Sequence, residues 1–212
     1  MKETEVNRTE TENVNITTTT TTTTTNRLNS SNSSNSSNRL SGANTCELVQ
    51  TEVESPVGVL QLIASAAGIR ALLWPMDGAR VRVGETELVD AAEHPVLLAA
   101  KQQLAQYFAG TLTTFELPLD PIGTPFQRDA WRALSNIAYG KTASYAEQAN
   151  TIGRPKAVRA VGAANGKNPI SIIVPCHRVI GSNGSLTGFA AGVDAKRWLL
   201  EHERRVVGES LF

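Results

Sequence analysis

The chain has 212 residues, of which 20 are basic and 20 acidic, so its formal net charge is zero and total charge alone argues against a polyanion binder. Two cysteines, Cys46 and Cys176, leave no room for a disulfide framework. The amino-terminal segment holds no apolar stretch that would serve as a signal peptide or a membrane span.

Residues 1–45 are Thr, Asn and Ser almost throughout, with an unbroken Thr run from Thr17 to Thr25 and Asn-Ser-Ser repeats from Asn29 to Ser37. Such a segment has almost nothing apolar to bury, so it is expected to be a disordered tail, a tether or a dispensable extension. The remainder suffices for one ordinary domain or two small ones. Charge divides unevenly across it. Residues 46–120 carry four basic side chains against ten acidic, and residues 121–212 carry twelve against six. Either the basic half faces a polyanion, or the two halves attract each other.

The acidic half opens as a meander. Strands are expected at Leu48–Ser55, Val59–Ala64 and Ile69–Trp74, separated by turns at Pro56-Val57-Gly58 and Ala66–Gly68. After a polar stretch, Pro95 opens a helix with Leu97, Ala100, Leu104 and Phe108 on one face, and Gly110 ends it. Cys46 and His94 are too scattered to form a metal site.

Pro118–Gly123 reads as a linker. Thr124, Pro125 and Gln127 then form a capping box with proline at the first helical position. Phe126, Ala130, Leu134 and Ile137 follow at helical spacing, and Gly140 ends the helix. A short helix over Ser144–Asn150, a turn at Thr151-Ile152-Gly153 and a second helix over Arg154–Ala164 give a helix-turn-helix pattern. The second helix carries Ala157, Ala160, Gly162, Ala163 and Ala164, with Lys156 and Arg159 projecting charge. Small residues of this kind suit close approach either to a nucleic-acid groove or to another helix.

Next comes Val174-Pro175-Cys176-His177-Arg178-Val179, preceded by the apolar run Ile170-Ser171-Ile172-Ile173-Val174 that would carry the thiol to a buried place. Pro175 stiffens the approach, and His177 puts a titratable group beside the sulfur. A lone cysteine in such a setting is either a structural thiol or a reactive one.

Taken with its flanks, this line resembles the O6-alkylguanine-DNA alkyltransferase (methylated-DNA–protein-cysteine methyltransferase) family. The resemblance rests on Gly123-Thr124-Pro125-Phe126-Gln127 with Trp131, Ser144-Tyr145, Arg154-Pro155 and Arg159–Gly162. It continues through Asn168-Pro169, Val174–Val179, Gly188–Gly192, and Lys196 with Trp198–Glu203. It covers Gly123 to Glu203 almost without a gap. The acidic half resembles the family's amino-terminal domain only loosely.

The implied fold is α+β. Residues 46–120 would form a small α/β, ribonuclease H-like domain, and residues 121–212 a mainly helical, winged helix-turn-helix DNA-binding and alkyl-acceptor domain. The implied chemistry is direct-reversal DNA repair. Cys176 attacks the alkyl carbon on the guanine oxygen (O4-alkylthymine is a further candidate), His177 takes the thiol proton through a water, and Glu203 orients His177. Asn168 matches the residue that braces the turn around the site. The thioether product cannot be hydrolysed under mild conditions, so each molecule acts once.

The partner implied is double-stranded DNA, entered from the minor groove with the damaged nucleotide rotated out of the stack. Arg159 would fill the vacated stack, with Ala157 on the same helix. Tyr145 would crowd the phosphate and contact the flipped base. The carbonyls of Cys176 and Val179 would accept from the guanine amino group, and the Ala190 amide would donate to the guanine oxygen. The base-pocket loop departs from some members at Phe189 and Ala190, which lack a hydroxyl, and at Ala191, which replaces a glycine. The zinc ligands of some members have no recognisable counterpart, and no cofactor is implied. A monomer in the reducing cytoplasm is expected, with no membrane attachment. Rival readings are a non-catalytic lesion binder of the same fold, a helix-turn-helix transcription factor and a cysteine hydrolase.

Overall fold

A run of β-forming residues broken by glycine turns becomes a four-stranded sheet in the order β3-β2-β1-β4. A computed structural model describes residues 48–77, 81, 83–84 and 88–208. The tail expected over residues 1–45 lies outside them, as does Cys46. Strands β1 (Leu48–Val53), β2 (Leu60–Ser65) and β3 (Gly68–Leu73) form the expected antiparallel meander. The three-residue β4 (Leu88–Asp90) was not expected; it pairs parallel with β1. It lies within the polar stretch and is too short and too exposed to show an alternating pattern.

Ile69 pairs with Ala64 and Ala71 with Ile63, so Arg70 is an extra residue bulged out of the β2–β3 ladder. The bulge frees its guanidinium to pair with Asp120, which Ser65 Oγ also reaches at 2.5 Å. Gly68 begins β3 at φ 145°, and a Cβ there would run into the Pro118 carbonyl, so only glycine fits. That carbonyl takes the Ile69 amide at 2.8 Å, and the Pro169 carbonyl takes the Leu72 amide at 2.8 Å. The outer edge of β3 is thereby closed by backbone from the linker and from the segment leading to the thiol.

Helix α1 (Pro95–Phe108) covers the sheet, with Leu97, Ala100, Leu104 and Tyr107 buried. The expected face closes on Tyr107 rather than Phe108, which stays half-buried. Spacing by three from Leu104 points straight at the core, and spacing by four overshoots it.

Helix α2 (Pro125–Leu134) carries the full capping box, Thr124 Oγ1 accepting from Gln127 N and Gln127 Oε1 from Thr124 N. It stops at Leu134, so Ile137 packs from a turn and not from the helix. Ser144 caps α3 (Tyr145–Thr151) in a second capping box with Glu147. Helix α4 (Val158–Asn165) starts four residues later than expected, because Pro155 disfavours helical backbone at Arg154, and residues 154–157 form a turn instead. Two-residue strands β5 (Ala143–Ser144) and β6 (Val179–Ile180) pair parallel, and α5 (Gly192–Val206) closes the chain.

One apolar cluster runs unbroken from Leu60, Leu62 and Leu72 of the sheet through Tyr107 to Trp131, Ile170, Val174 and Leu199. Each fully buried aliphatic side chain here contributes about 1.5–3 kcal/mol, and the two halves share that contribution. Among the described residues, no helix is long and apolar enough to cross a membrane.

Candidate active site

Four apolar side chains in the run 170–174 are all buried, and the run packs them as a turn and not as a strand. The chain achieves this by leaving the strand conformation: Ile172 sits at φ 72°, the only described non-glycine residue with positive φ. A β-branched residue in that region is strained, and the packing around Ile172, which is fully buried, holds it there. Asn168 braces the same segment, its amide donating to the Val174 carbonyl at 2.8 Å and its oxygen accepting from Ile170 N at 3.1 Å. Cys176–Arg178 then make a single 3₁₀ turn leading into β6.

The thiol of Cys176 is buried, and burial pushes its pKa up. Hydrogen bonds from Asn168 and Ser171 and the nearby charge of Lys196 act in the opposite direction without overcoming it. The resting group is therefore a thiol, which needs a base before it becomes a nucleophile.

His177 is fully buried. Its Nε2 lies 2.8 Å from Glu203 Oε1 on α5. Its Nδ1 is buried and has no hydrogen-bond partner among the described residues. Burial lowers the His177 pKa more than Glu203 raises it, with Arg178 and Lys196 adding to the fall, so the imidazole is neutral near pH 7. With Nε2–H donating to the carboxylate, Nδ1 is left as a bare acceptor.

Glu203 is fully buried yet ionised. Burial pushes its carboxyl up, but the hydrogen bonds and charges of His177 and Arg178 together outweigh it and bring the pKa down to about 2. Arg178 Nε reaches Glu203 Oε2 at 2.9 Å and Nη2 reaches Oε1 at 3.0 Å, a two-pronged grip. Gly140 N donates to Oε2 at 3.0 Å and Tyr107 Oη to Oε1 at 2.9 Å.

Tyr145 Oη donates to the Thr187 carbonyl at 2.9 Å. Lys196 donates to the same carbonyl at 2.9 Å and to the Val179 carbonyl at 2.5 Å. Val179 O, expected to face the guanine amino group, thus already has one donor, as does Cys176 O from Val179 N. Each keeps a second lone pair. Burial raises the Tyr145 pKa, and Cys176 is close enough to add to the rise. Ala190 is half-buried in the loop between β6 and α5, where Phe189 packs edge-on against Trp74 at 5.9 Å.

On α4, Arg159, Ala160 and Ala163 are exposed, whereas Val161 and Ala164 are buried. Ala157 is the residue before the helix rather than within it, half-buried and without a side-chain cap. The structure therefore gathers Cys176, His177, Asn168, Glu203, Tyr145 and Val179 in one connected region at the apolar core and leaves Arg159 on an outer face. Ser171, Arg178, Lys196 and Tyr107 also belong to the site's surroundings, although the sequence reading gave them no role. Arg178 lies within the thiol line and Lys196 in a matched motif, but Tyr107 lies 96 residues from its partner Glu203 and carries no signal.

A family model described as 6-O-methylguanine DNA methyltransferase, DNA binding domain, matches residues 125–205. A second, the ribonuclease-like domain of the same proteins, matches residues 48–121. The methylated-DNA–protein-cysteine methyltransferase of Methanosarcina acetivorans is 45% identical over 150 residues, 71% of this chain and 94% of that protein. The constitutive enzyme of that name from Bacillus subtilis is 47% identical over 158 residues, 73% of this chain and 94% of that protein. Mycobacterium tuberculosis OGT, in a crystal structure in complex with DNA, aligns with a TM-score of 0.67 and 44% identity, covering 76% of this chain and 94% of that one. With both of its halves matched and nearly the full length of these relatives covered, the chain belongs to the 6-O-methylguanine DNA methyltransferase family.

Proposed function

We propose that the chain repairs alkylated DNA by moving the alkyl group from the O6 of guanine irreversibly onto Cys176 Sγ. The observation that carries this is the buried Cys176–His177–Glu203 arrangement, with one imidazole nitrogen committed to the carboxylate and the other free. As the sulfur attacks, the S–C bond forms and the C–O bond breaks. The thiol proton passes through a water to His177 Nδ1; the guanine anion that leaves takes a proton from solvent at its ring nitrogen, and His177 returns its own to solvent. The developing imidazolium is held by Glu203, whose low pKa keeps it from accepting the proton itself. The thioether persists, so the stoichiometry is one alkyl group per protein.

Arg159 and the exposed small residues of α4 would enter the minor groove of double-stranded DNA, Arg159 occupying the space left by the rotated nucleotide. Tyr145, Val179 and Ala190 would line the pocket that receives the base. The matches over 48–121 and 125–205 support a reading of two lobes, 46–120 and 121–212, behind the 1–45 tail. A monomer in the reducing cytoplasm suits a thiol that must survive unoxidised.

The test is the intact mass of the protein after incubation with a duplex carrying one O6-methylguanine, followed by peptide mapping. A gain of one CH2 on the Cys176 peptide, saturating at one per protein and absent in Cys176→Ala, is the expected result. Tight lesion binding without mass gain would move the protein to the non-catalytic class. Neither binding nor transfer would end the repair reading.

A further inference from the structure

Glu203 answers to both halves of the chain. From α1, Tyr107 Oη donates to Oε1 at 2.9 Å, the same oxygen that receives His177 Nε2 at 2.8 Å. Tyr107 also receives from α5: its backbone carbonyl accepts from His202 Nε2 at 2.8 Å, one residue before Glu203. Its ring lies 5.3–5.9 Å from those of Phe108, Phe115, Tyr139 and His202, and it is fully buried.

We propose that Tyr107 is a positioning residue for alkyl transfer, fixing Glu203 Oε1 where it takes the His177 Nε2–H and so keeping Nδ1 toward the thiol. This rests on the repair reading above.

Burial and the Glu203 charge raise the Tyr107 pKa well above 10, so its hydroxyl is a permanent donor. A carboxylate offers about four lone-pair directions, and Oε1 and Oε2 here meet His177, Arg178, Gly140 and Tyr107. A carboxylate so fully engaged cannot rotate toward Arg178 and abandon the imidazole. Removing the hydroxyl takes one donor from Oε1, so less of the carboxylate charge is shared with Tyr107 and more of it falls on the imidazolium proton. The other groups bearing on this pair stay in place: Arg178 beside it, Lys196 on α5 and Tyr139 before β5.

Single-turnover transfer from a duplex with one O6-methylguanine, followed from about pH 5 to pH 9, tests the assignment on the full chain. In Tyr107→Phe, the plateau rate is expected to fall about tenfold, the worth of one such hydrogen bond. The acid limb should move to higher pH while lesion-duplex affinity holds. Phe115→Leu, which loosens the same aromatic cluster without touching the carboxylate, should lower thermal stability and leave the limb in place. A Tyr107→Phe profile that overlays the unmodified chain would overturn the inference, as would an equal shift in Phe115→Leu. If the unmodified chain gains no alkyl group, the repair reading fails and takes this inference with it. A Tyr107→Phe chain that transfers at the unmodified rate refutes the positioning role alone.

Discussion

The thiol site and the outer face of α4 are built on opposite terms. Around Cys176, His177 and Glu203 the structure is closed: the three are buried and a carboxylate is surrounded by donors. On α4, Arg159, Ala160 and Ala163 stand in solvent on an eight-residue helix with no capping side chain. Chemistry that demands sub-ångström placement is organised during folding, and recognition that reads shape alone is left to the moment of binding. Substitutions should therefore separate cleanly into those that stop transfer and those that weaken access to it.

The largest separation comes from Cys176→Ala. Transfer should vanish while affinity for the lesion duplex stays within about threefold, because the sulfur contributes reaction and not binding. Intact mass and a fluorescence titration on the same preparation measure the two sides.

Glu203→Gln should lower the single-turnover rate by about a hundredfold or more, since the imidazolium loses its counter-charge. It should also cost about 3–5 kcal/mol in denaturant unfolding, because Arg178 is left buried without its partner. A destabilised variant with a normal rate would show that Glu203 is merely structural.

Arg159→Ala should act on the other side of the divide. Transfer from duplex should slow about tenfold or more as the vacated stack loses its occupant, with unfolding free energy changed by no more than about 0.5 kcal/mol. If transfer from a single-stranded lesion slows equally, Arg159 does not serve base rotation.

Acidity probes the closed side alone. Because burial depresses the His177 pKa below 6.5, transfer should continue below that pH and fail only when the imidazole protonates in the folded protein. For stability the sign is set by the unfolded chain, whose His177 takes its proton first, so a cost appears as pH drops through 6.5. Glu203, held at about 2 against 4.5, contributes fully above pH 4.5 and loses that contribution as pH falls toward 2, about 3 kcal/mol in all. Urea midpoints across the acid range check both.

The smallest effect belongs to Gly162→Ala. A Cβ there would meet the Tyr145 ring at 3.7 Å, an ordinary contact, and alanine favours the helix. Thermal stability should hold or rise by about 1 kcal/mol, and any loss should appear only in DNA affinity.

What the sequence made legible follows the range of the forces involved. The capping box of Thr124 and Gln127 is a contact between residues three apart, so it was visible before the fold was known. The start of α4 lies four residues beyond the expected one because Pro155, itself visible in the sequence, disfavours helical backbone at Arg154. Phe108 is the expected core residue at the end of α1; the core takes Tyr107 instead, whose hydroxyl reaches Glu203 on a distant helix. The pairing of His177 with Glu203 came from the family resemblance; nothing in the 26-residue separation required it.

The Thr187 carbonyl carries more than its own loop turn. It accepts from Tyr145 on α3 and from Lys196 on α5 at once. A single oxygen thus serves as the common fastening of a helix, a second helix and the strip of backbone between β6 and α5. Such a fastening does not loosen by degrees. If Thr187 lifts, both donors are released together, so amide exchange along residues 185–191 should show one shared opening rate rather than a gradient. The strip would then behave as a catch, shut or sprung, with no ajar position between.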